Sequence, residues 1–262
     1  MFQPVLPLSG FPGWVLLNRT LDSQTEAFNA SPQIQRDTDY FVENIGSITT
    51  AAELVEDRRL LTVALGAFGL GDDINNRALI QKVLEDGTAD PASIANRLSD
   101  DRYAQFSEAF GFGTALYGSN TGDSGFGERI ANLFQARSFE VAVGEQDSSL
   151  RLALNATREL ADLAGDTVSN DTQWFRVLGT PPLREVFERA FNLPSSFGQV
   201  DIERQLEEFK DRAERVLGVE NFSDFAAPKV REELVRGYLL REQVAGVTSL
   251  SPQSVALTLL QS

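Results

Sequence analysis

The chain has 262 residues and a hydrophobic content of 42%, which is enough to bury a substantial core and is typical of a folded globular protein. Its net charge is −15, and it contains no cysteine and no histidine. The charge disfavours nucleic acids and anionic membranes as partners. The missing residue types exclude disulfides, thiol nucleophiles and imidazole bases.

The first residues, 1–30, predict an N-terminal tail that is interrupted by prolines at positions 4, 7 and 12. No basic region precedes an apolar run, and no apolar run reaches membrane-spanning length. We therefore expect a soluble protein that has no cleaved signal peptide and is not inserted in a membrane.

Helical patterns fill residues 31–118, which we predict to form a first helical half. Two patterns are typical of capped helix starts: a proline directly after serine or aspartate, and a single Thr or Asp before an apolar stripe. The predicted starts are Ser31-Pro32, Thr50, Asp72 or Asp73, and Asp90-Pro91. The helix that begins at Thr50 is expected to continue through Leu61 and Leu65 to Phe68. A further short helix carries Tyr103, Phe106 and Phe110.

Residues 119–165 are predicted to form a Gly-rich loop and a long connecting helix. The run from Gly111 to Gly127, GFGTALYGSNTGDSGFG, is rich in turn-forming residues and favours a flexible linker. A helical pattern follows from about Glu128 to Ala164, with a break near Gly144.

Residues 166–245 are predicted to form a second helical half, and 246–262 a C-terminal helix that begins at Ser251-Pro252. The predicted starts within the second half are Asn170 or Asp171, Thr180-Pro181, Asp201, and about Pro228. Alternating strand patterns are nearly absent, so the sequence predicts an all-α fold.

An internal repeat relates the two halves. Ala67-Phe-Gly-Leu70 matches Ala190-Phe-Asn-Leu193, and the same offset aligns several apolar positions of the flanking helices without a gap. Helical periodicity alone explains about half of such matches, but the shared tetrapeptide before a helix break favours duplication. The sequence therefore predicts two similar helical halves.

The stretch LGAFGLGDD, residues 65–73, has the glycine content of a phosphate-binding loop. A dinucleotide loop, however, needs G-x-G-x-x-G after a strand, whereas this stretch reads G-x-x-G-x-G after a helix and ends in two carboxylates. We predict that it is a helix C-cap that buries Phe68, with Phe191 buried at the equivalent place in the second half. Asp201 is expected to cap the helix that follows Phe191.

Two other patterns point only weakly to catalysis. Gly122-Asp-Ser-Gly125 spells the loop of a serine protease nucleophile, but the chain has no histidine to serve as its base. Adjacent carboxylates such as Asp100-Asp101 do not face each other on a helix. We assign no catalytic, cofactor-binding or metal-binding residue, and a hydrolase that uses a carboxylate pair remains the alternative.

The two termini are candidate contact surfaces for a protein partner. The apolar residues concerned are Phe11, Trp14, Leu16 and Leu17 near the start, and Val255, Leu257, Leu259 and Leu260 near the end. Docking of both segments onto the chain's own core is the favoured interpretation, since large apolar patches rarely stay exposed. Helix-in-groove binding to a partner is the alternative.

Three phrases resemble a known family: AFGLGDD, the run IQKVLEDGTADPASIANRLSDDRYAQFSEAFGF over residues 80–112, and NLPSSFGQVDIERQ from Asn192. The chain is similar, over about residues 30–245, to a bacterial family of unknown function found in alphaproteobacterial flagellar gene clusters. The resemblance implies a cytoplasmic or flagellum-associated location and transfers no catalytic residue.

Together these observations predict a non-enzymatic helical protein of the flagellar system that acts through protein–protein contacts, in a structural or assembly role related to motility. A flagellar component is the partner that the resemblance implies, and no cofactor is expected. A carboxylate-pair hydrolase and a helical export chaperone or adaptor are the alternatives.

Overall fold

The computed structural model describes residues 2–113 and 118–248, and throughout these ranges the regular structure is helical, with no β-strand. In chain order, helices α1 to α13 are Gly10–Asn29, Pro32–Asn44, Ala51–Glu56, Arg58–Ala67, Arg77–Asp86, Ile94–Arg97, Arg102–Phe110, Phe126–Gly144, Ser148–Gly165, Asn170–Gly179, Pro181–Ala190, Ile202–Leu217 and Pro228–Thr248. Short 3₁₀ helices lie at Ile45–Ser47, Gly71–Asn75, Asn120–Gly122, Ser195–Gln199 and Phe222–Ala226. The predicted all-α class is confirmed. Over the described ranges, no helix combines the length and the apolar character needed to cross a bilayer.

The chain divides into two compact units. Unit 1 comprises Met1–Val5 and Arg19–Glu145, and unit 2 comprises Leu6–Asn18 and Gln146–Ser262. Helix α1 contributes residues to both units and fills most of the segment that the sequence analysis interpreted as a tail. Pro4 and Pro7 precede α1, and Pro12 lies in its first turn, where proline is tolerated. Trp14, Leu17 and Phe28 are buried and favour the helix through their packing.

The predicted connecting helix is two helices, α8 and α9, with the break close to Gly144 as expected. Asp147 causes the restart, because its side chain accepts hydrogen bonds from the backbone N–H groups of Ser149 (2.9 Å) and Leu150 (3.1 Å). The boundary between the two units falls at this break.

The core of unit 1 forms around α4. This helix is apolar on nearly every side, because Leu60, Leu61, Val63, Ala64 and Leu65 are all buried, and it packs against α2, α3 and α8. The approach to α8 is close at Gly66, since a Cβ atom there would lie 2.7 Å from the Phe134 ring. The helix is therefore the central element of unit 1.

The core of unit 2 is aromatic and lies among α9, α10, α11, α12 and α13. Trp174 packs edge-on against Phe187, Phe222 and Phe225, with ring centroids 5.6, 5.0 and 5.8 Å away. Phe209 stacks on Phe187 at 5.7 Å. The strong amphipathic pattern that predicted α12 delivers Phe209 to this cluster, and Asp201 caps the helix as expected.

Several predicted helix boundaries were wrong. The helix expected to begin at Thr50 is divided at Asp57, which caps α4 by accepting from the N–H groups of Arg59 (2.8 Å) and Leu60 (3.1 Å). Thr50 itself forms the expected cap of α3, completed by Glu53 in a reciprocal capping box.

Asp72 and Asp73 do not cap an α-helix. They lie in the 3₁₀ helix Gly71–Asn75, and α5 begins only at Arg77, because Asp73 is engaged by the side chains of Tyr103 and Asn76. A local turn at Asp90, whose carboxylate accepts from the N–H of Ala92, likewise delays α6.

Helices α6 and α10 are capped by residues other than the predicted ones. Helix α6 begins at Ile94 and is capped by Ser93, not by Asp90-Pro91. Helix α10 is capped by Ser169, whose hydroxyl accepts from the N–H of Thr172, instead of by Asn170 or Asp171. The helix predicted at Ser251-Pro252 lies outside the described residues.

Candidate functional site

A groove on unit 1 lies between helices α2 and α8. Its volume is about 320 Å³, and it is partly open to solvent. The groove is lined by four residues of each helix: Thr38, Asp39, Val42, Glu43, Glu128, Ala131, Asn132 and Gln135. Successive lining residues on each helix are three or four positions apart or adjacent, so one face of each helix forms one wall.

The sequence positions the walls of the groove through the apolar residues on the opposite face of each helix. On α2, the buried residues Ile34 and Phe41 anchor the helix and leave Asp39 and Glu43 outward. The hydroxyl of Thr38 donates to the carbonyl of Ile34 at 2.9 Å, which satisfies it within its own helix.

Gly127 allows the two helices to approach closely next to the groove. A Cβ atom at this position would lie 3.2 Å from the Cα atom of Val42 and 3.3 Å from the Ile45 side chain. Gly127 is itself buried. Beside it, the apolar part of the lining, referred to below as the floor, consists of Val42, which is half-buried, and Ala131, which is buried.

The rim of the groove is acidic. Asp39, Glu43 and Glu128 are all solvent-exposed, and no lysine or arginine lines the groove. Among the described residues, none of the three carboxylates forms an ion pair or accepts a side-chain hydrogen bond. The groove therefore presents three uncompensated negative charges around an apolar strip.

The arrangement of these carboxylates limits their chemistry. Within residues 2–113 and 118–248, no group of three acidic side chains is close enough together to hold a metal ion. A carboxyl group that serves as a general acid lies in a buried, apolar surrounding, whereas these carboxylates are exposed to solvent. What the groove offers is an apolar strip for an aliphatic chain and an acidic rim for a cation.

A second polar cluster lies at the stretch LGAFGLGDD. Arg102 donates from Nε and Nη2 to both carboxylate oxygens of Asp100, with distances of 2.7 to 3.1 Å, and from Nη1 to the carbonyl of Gly69. The hydroxyl of Tyr103 donates to Asp73 at 2.6 Å. These bonds attach the helix end to α7.

The charges and hydrogen bonds of this cluster stabilise the fold. Burial alone would lower the pKa of Arg102, but hydrogen bonding to Asp100 and the charge of that carboxylate outweigh burial and raise it. Burial raises the pKa of Tyr103 to about 12, and the hydrogen bond to Asp73 contributes to the rise. Arg102 bonds both to Asp100 and to the Gly69 carbonyl, and so connects the end of α4 to the start of α7. This is the helix joint that the sequence predicts.

The joint has the expected geometry. Phe68 is 7% exposed and Phe191 is 2% exposed, so both predicted burials are confirmed. Gly69 has a left-handed φ of 70°, which closes the C-terminus of α4.

The structure places the predicted contact residues differently at the two termini. Trp14 and Leu17 are buried, while Leu16 is half-buried, and Arg236 lies over the half-buried ring of Phe11 at 5.6 Å. This half of α1 packs into unit 2, which agrees with the favoured interpretation of docking onto the chain's own core. Val255, Leu257, Leu259 and Leu260 lie outside the described residues.

Sequence reasoning missed the groove, since it singled out neither Asp39 nor Glu43. One signal was present: the two residues are four positions apart, and like charges at that spacing destabilise an isolated helix. The contribution of Glu128, nearly ninety positions further on, has no local signal because only tertiary packing brings α8 beside α2.

Comparison with known proteins identifies relatives but no activity. The crystal structure of a structural genomics target from Agrobacterium tumefaciens is similar to this chain at 26% identity and a TM-score of 0.71, over 92% of this chain and 98% of the other. No curated protein matches the chain. The family model described as "Protein of unknown function (DUF1217)" matches residues 67–230, which is more than half of the chain. The chain belongs to this DUF1217 family.

Proposed function

We propose that this protein is a non-enzymatic helical component of the flagellar system that acts by binding another protein. The groove between α2 and α8 is the observation on which this proposal rests, because an apolar floor with an uncompensated acidic rim is a surface suited to a protein ligand. The flagellar assignment rests on the sequence resemblance alone.

The exposure of the groove carboxylates favours binding over hydrolysis. In the carboxylate-pair alternative, one group must carry a proton near neutral pH, which requires an apolar surrounding. Asp39, Glu43 and Glu128 are instead open to water. A binding role as an export chaperone or adaptor remains compatible with the same groove.

We further propose that the two units contain copies of one ancestral helical half. In both, a helix ends in Ala-Phe, a left-handed residue and Leu, followed by a 3₁₀ helix and then an α-helix. The copies differ in the connection between the 3₁₀ helix and the next α-helix. They also differ in burial, since Leu79 is half-buried and Ile202, the residue aligned with it, is exposed.

The flagellar role is tested by deleting the gene in its native host and measuring swimming speed and the number of filaments per cell. We expect loss or reduction of motility, restored by a plasmid copy of the wild-type gene. Normal swimming with a normal number of filaments would contradict the proposal. Fractionation of the complemented strain into cytoplasm and isolated flagella then locates the protein.

A further inference from the structure

We infer that the groove between α2 and α8 binds an arginine- or lysine-bearing segment of a partner protein. The inference rests on the proposed function in one respect, namely that the partner is a protein. It adds the chemistry by which that partner is recognised.

The dimensions of the groove match long basic side chains. The α8 wall runs from Glu128 to Gln135, a separation of seven positions, or about 10 Å at the helical rise of 1.5 Å per residue. This length is too short for a docked helix but accommodates one or two extended side chains. Arginine and lysine have the apolar stem and charged end that such a site requires.

The lining residues match the two parts of a basic side chain, its apolar stem and its charged end. The aliphatic stem of a basic residue would pack on Val42 and Ala131, and its cation would meet Asp39, Glu43 or Glu128 at the rim. The side-chain carbonyls of Asn132 and Gln135 add neutral acceptors on α8. The carboxylates and the two side-chain carbonyls all accept hydrogen bonds, and a guanidinium only donates them.

Charge complementarity selects a cationic occupant. Among the described residues, no cation forms an ion pair with the three rim carboxylates, whereas Arg102, elsewhere in unit 1, is paired with Asp100. An acidic or phosphorylated segment would be repelled, both at the rim and by the net charge of −15. A neutral apolar segment would gain no electrostatic attraction from the carboxylates.

The test is a titration of the full-length protein, followed by NMR, with a capped octapeptide that carries two arginines in an alanine background. The control peptide has glutamines in place of the arginines. We expect saturable shifts of the Val42 methyl groups and of the Asn132 and Gln135 side-chain amides, and affinity that falls as salt is added.

The combined variant Asp39→Asn, Glu43→Gln and Glu128→Gln should weaken binding about tenfold, the loss expected when each of the two arginines of the peptide loses an exposed ion pair. A matched control, Glu203→Gln, Glu207→Gln and Glu214→Gln, removes the same charge from exposed positions of α12 and should retain the wild-type affinity. Gln135→Lys, which keeps all three carboxylates but adds a cation to the groove, should also weaken binding.

Equal binding by the two triple variants, or by the two peptides, would overturn the inference. So would a concentration-dependent dimer that the groove variant alone abolishes, because the occupant would then be a second copy of this chain. These outcomes are independent of the motility experiment: site-specific peptide binding with normal swimming would reject only the flagellar role.

Discussion

Gly69 and Asn192 have the same left-handed backbone conformation, with φ angles of 70° and 53°, at the ends of α4 and α11. In both places the N–H group three positions after the last helical residue donates to a carbonyl five residues earlier, from Leu70 to Leu65 at 2.9 Å and from Leu193 to Glu188 at 2.8 Å. This is the Schellman arrangement, which satisfies carbonyl groups that a helix end leaves unpaired.

The equivalence predicts how substitutions at the two positions rank. Asn192→Ala should lower the free energy of unfolding by about 1 kcal/mol, because alanine tolerates a positive φ less well than asparagine, whereas Asn192→Gly should be close to neutral. Gly69→Ala should cost more than Asn192→Ala, since its Cβ would lie 3.0 Å from Arg137 and 3.2 Å from Arg102. Urea unfolding of the three variants measures this order.

A larger loss for Asn192→Ala than for Gly69→Ala would contradict the ranking. It would mean that the asparagine side chain, and not its backbone conformation, stabilises the end of α11. Asn192→Asp is a control, because aspartate also tolerates this conformation and should remain within about 0.5 kcal/mol of the wild type.

Local chemistry explains which parts of the fold were predictable from the sequence. Thr50 and Asp201 cap their helices as predicted, because a cap depends on a side chain and the N–H groups two or three positions later. Phe68 and Phe191 are buried for the same kind of local reason, since each closes an amphipathic turn.

The errors at Asp57, Ser93 and Ser169 arose because a neighbouring residue caps the helix instead of the predicted one. Other errors arose where contacts distant in sequence decide the outcome. Asp73 bonds to Tyr103, thirty positions away, and therefore does not start a helix. The groove needs α2 and α8 side by side, and no pattern within either helix specifies that neighbour. The two helix ends at Phe68 and Phe191 share a local sequence pattern and a local geometry, and the descent of both halves from one ancestor stays a proposal.

Replacing Arg102 by methionine should lower the free energy of unfolding by about 2 kcal/mol. This loss lies between those typical of breaking an exposed and a buried ion pair. Its side chain is 21% exposed and that of Asp100 is 18% exposed, so the loss leaves a partly buried carboxylate and the carbonyl of Gly69 without their donor. Urea unfolding monitored by circular dichroism measures the change.

A double-mutant cycle isolates the Arg102–Asp100 pair. The combined variant Arg102→Met and Asp100→Asn should be less destabilised than the sum of the single variants, because it leaves no uncompensated charge. Arg215→Met is the control: its side chain is 63% exposed and its nitrogen lies 4.0 Å from Asp211, so it should change stability by less than about 0.5 kcal/mol. Additive effects at Arg102 and Asp100 would contradict the coupling.

Tyr103 should make unit 1 sensitive to alkaline pH. The pKa of Tyr103 is about 12 in the folded chain, above the ordinary value of 10, because of burial and the hydrogen bond to Asp73. The folded state therefore favours the protonated phenol. The stabilisation that follows is fully present below pH 10 and is lost as the pH rises from 10 towards 12.

Tyr103→Phe removes this titration. The variant should show a smaller loss of stability between pH 10 and 12 than the wild type, and its tyrosinate absorbance should lack one late-titrating step. Asp73→Asn, which keeps a hydrogen-bond acceptor but removes the charge, should bring the Tyr103 pKa back towards 10. An unchanged profile in Tyr103→Phe would assign the alkaline sensitivity to other groups.

Phe209 should be among the most sensitive positions of unit 2. Its ring is fully buried and stacks between Phe187 at 5.7 Å and Phe197 at 5.6 Å, so truncation removes contacts on both faces. Phe209→Ala should cost about 3–5 kcal/mol, and Phe209→Leu should cost less because it retains most of the buried volume. Phe175→Leu, at a position 38% exposed, is the control and should change stability by less than about 0.5 kcal/mol. Chemical unfolding followed by circular dichroism checks the order, and equal losses for Phe209→Leu and Phe175→Leu would show that the stacked rings contribute little to stability.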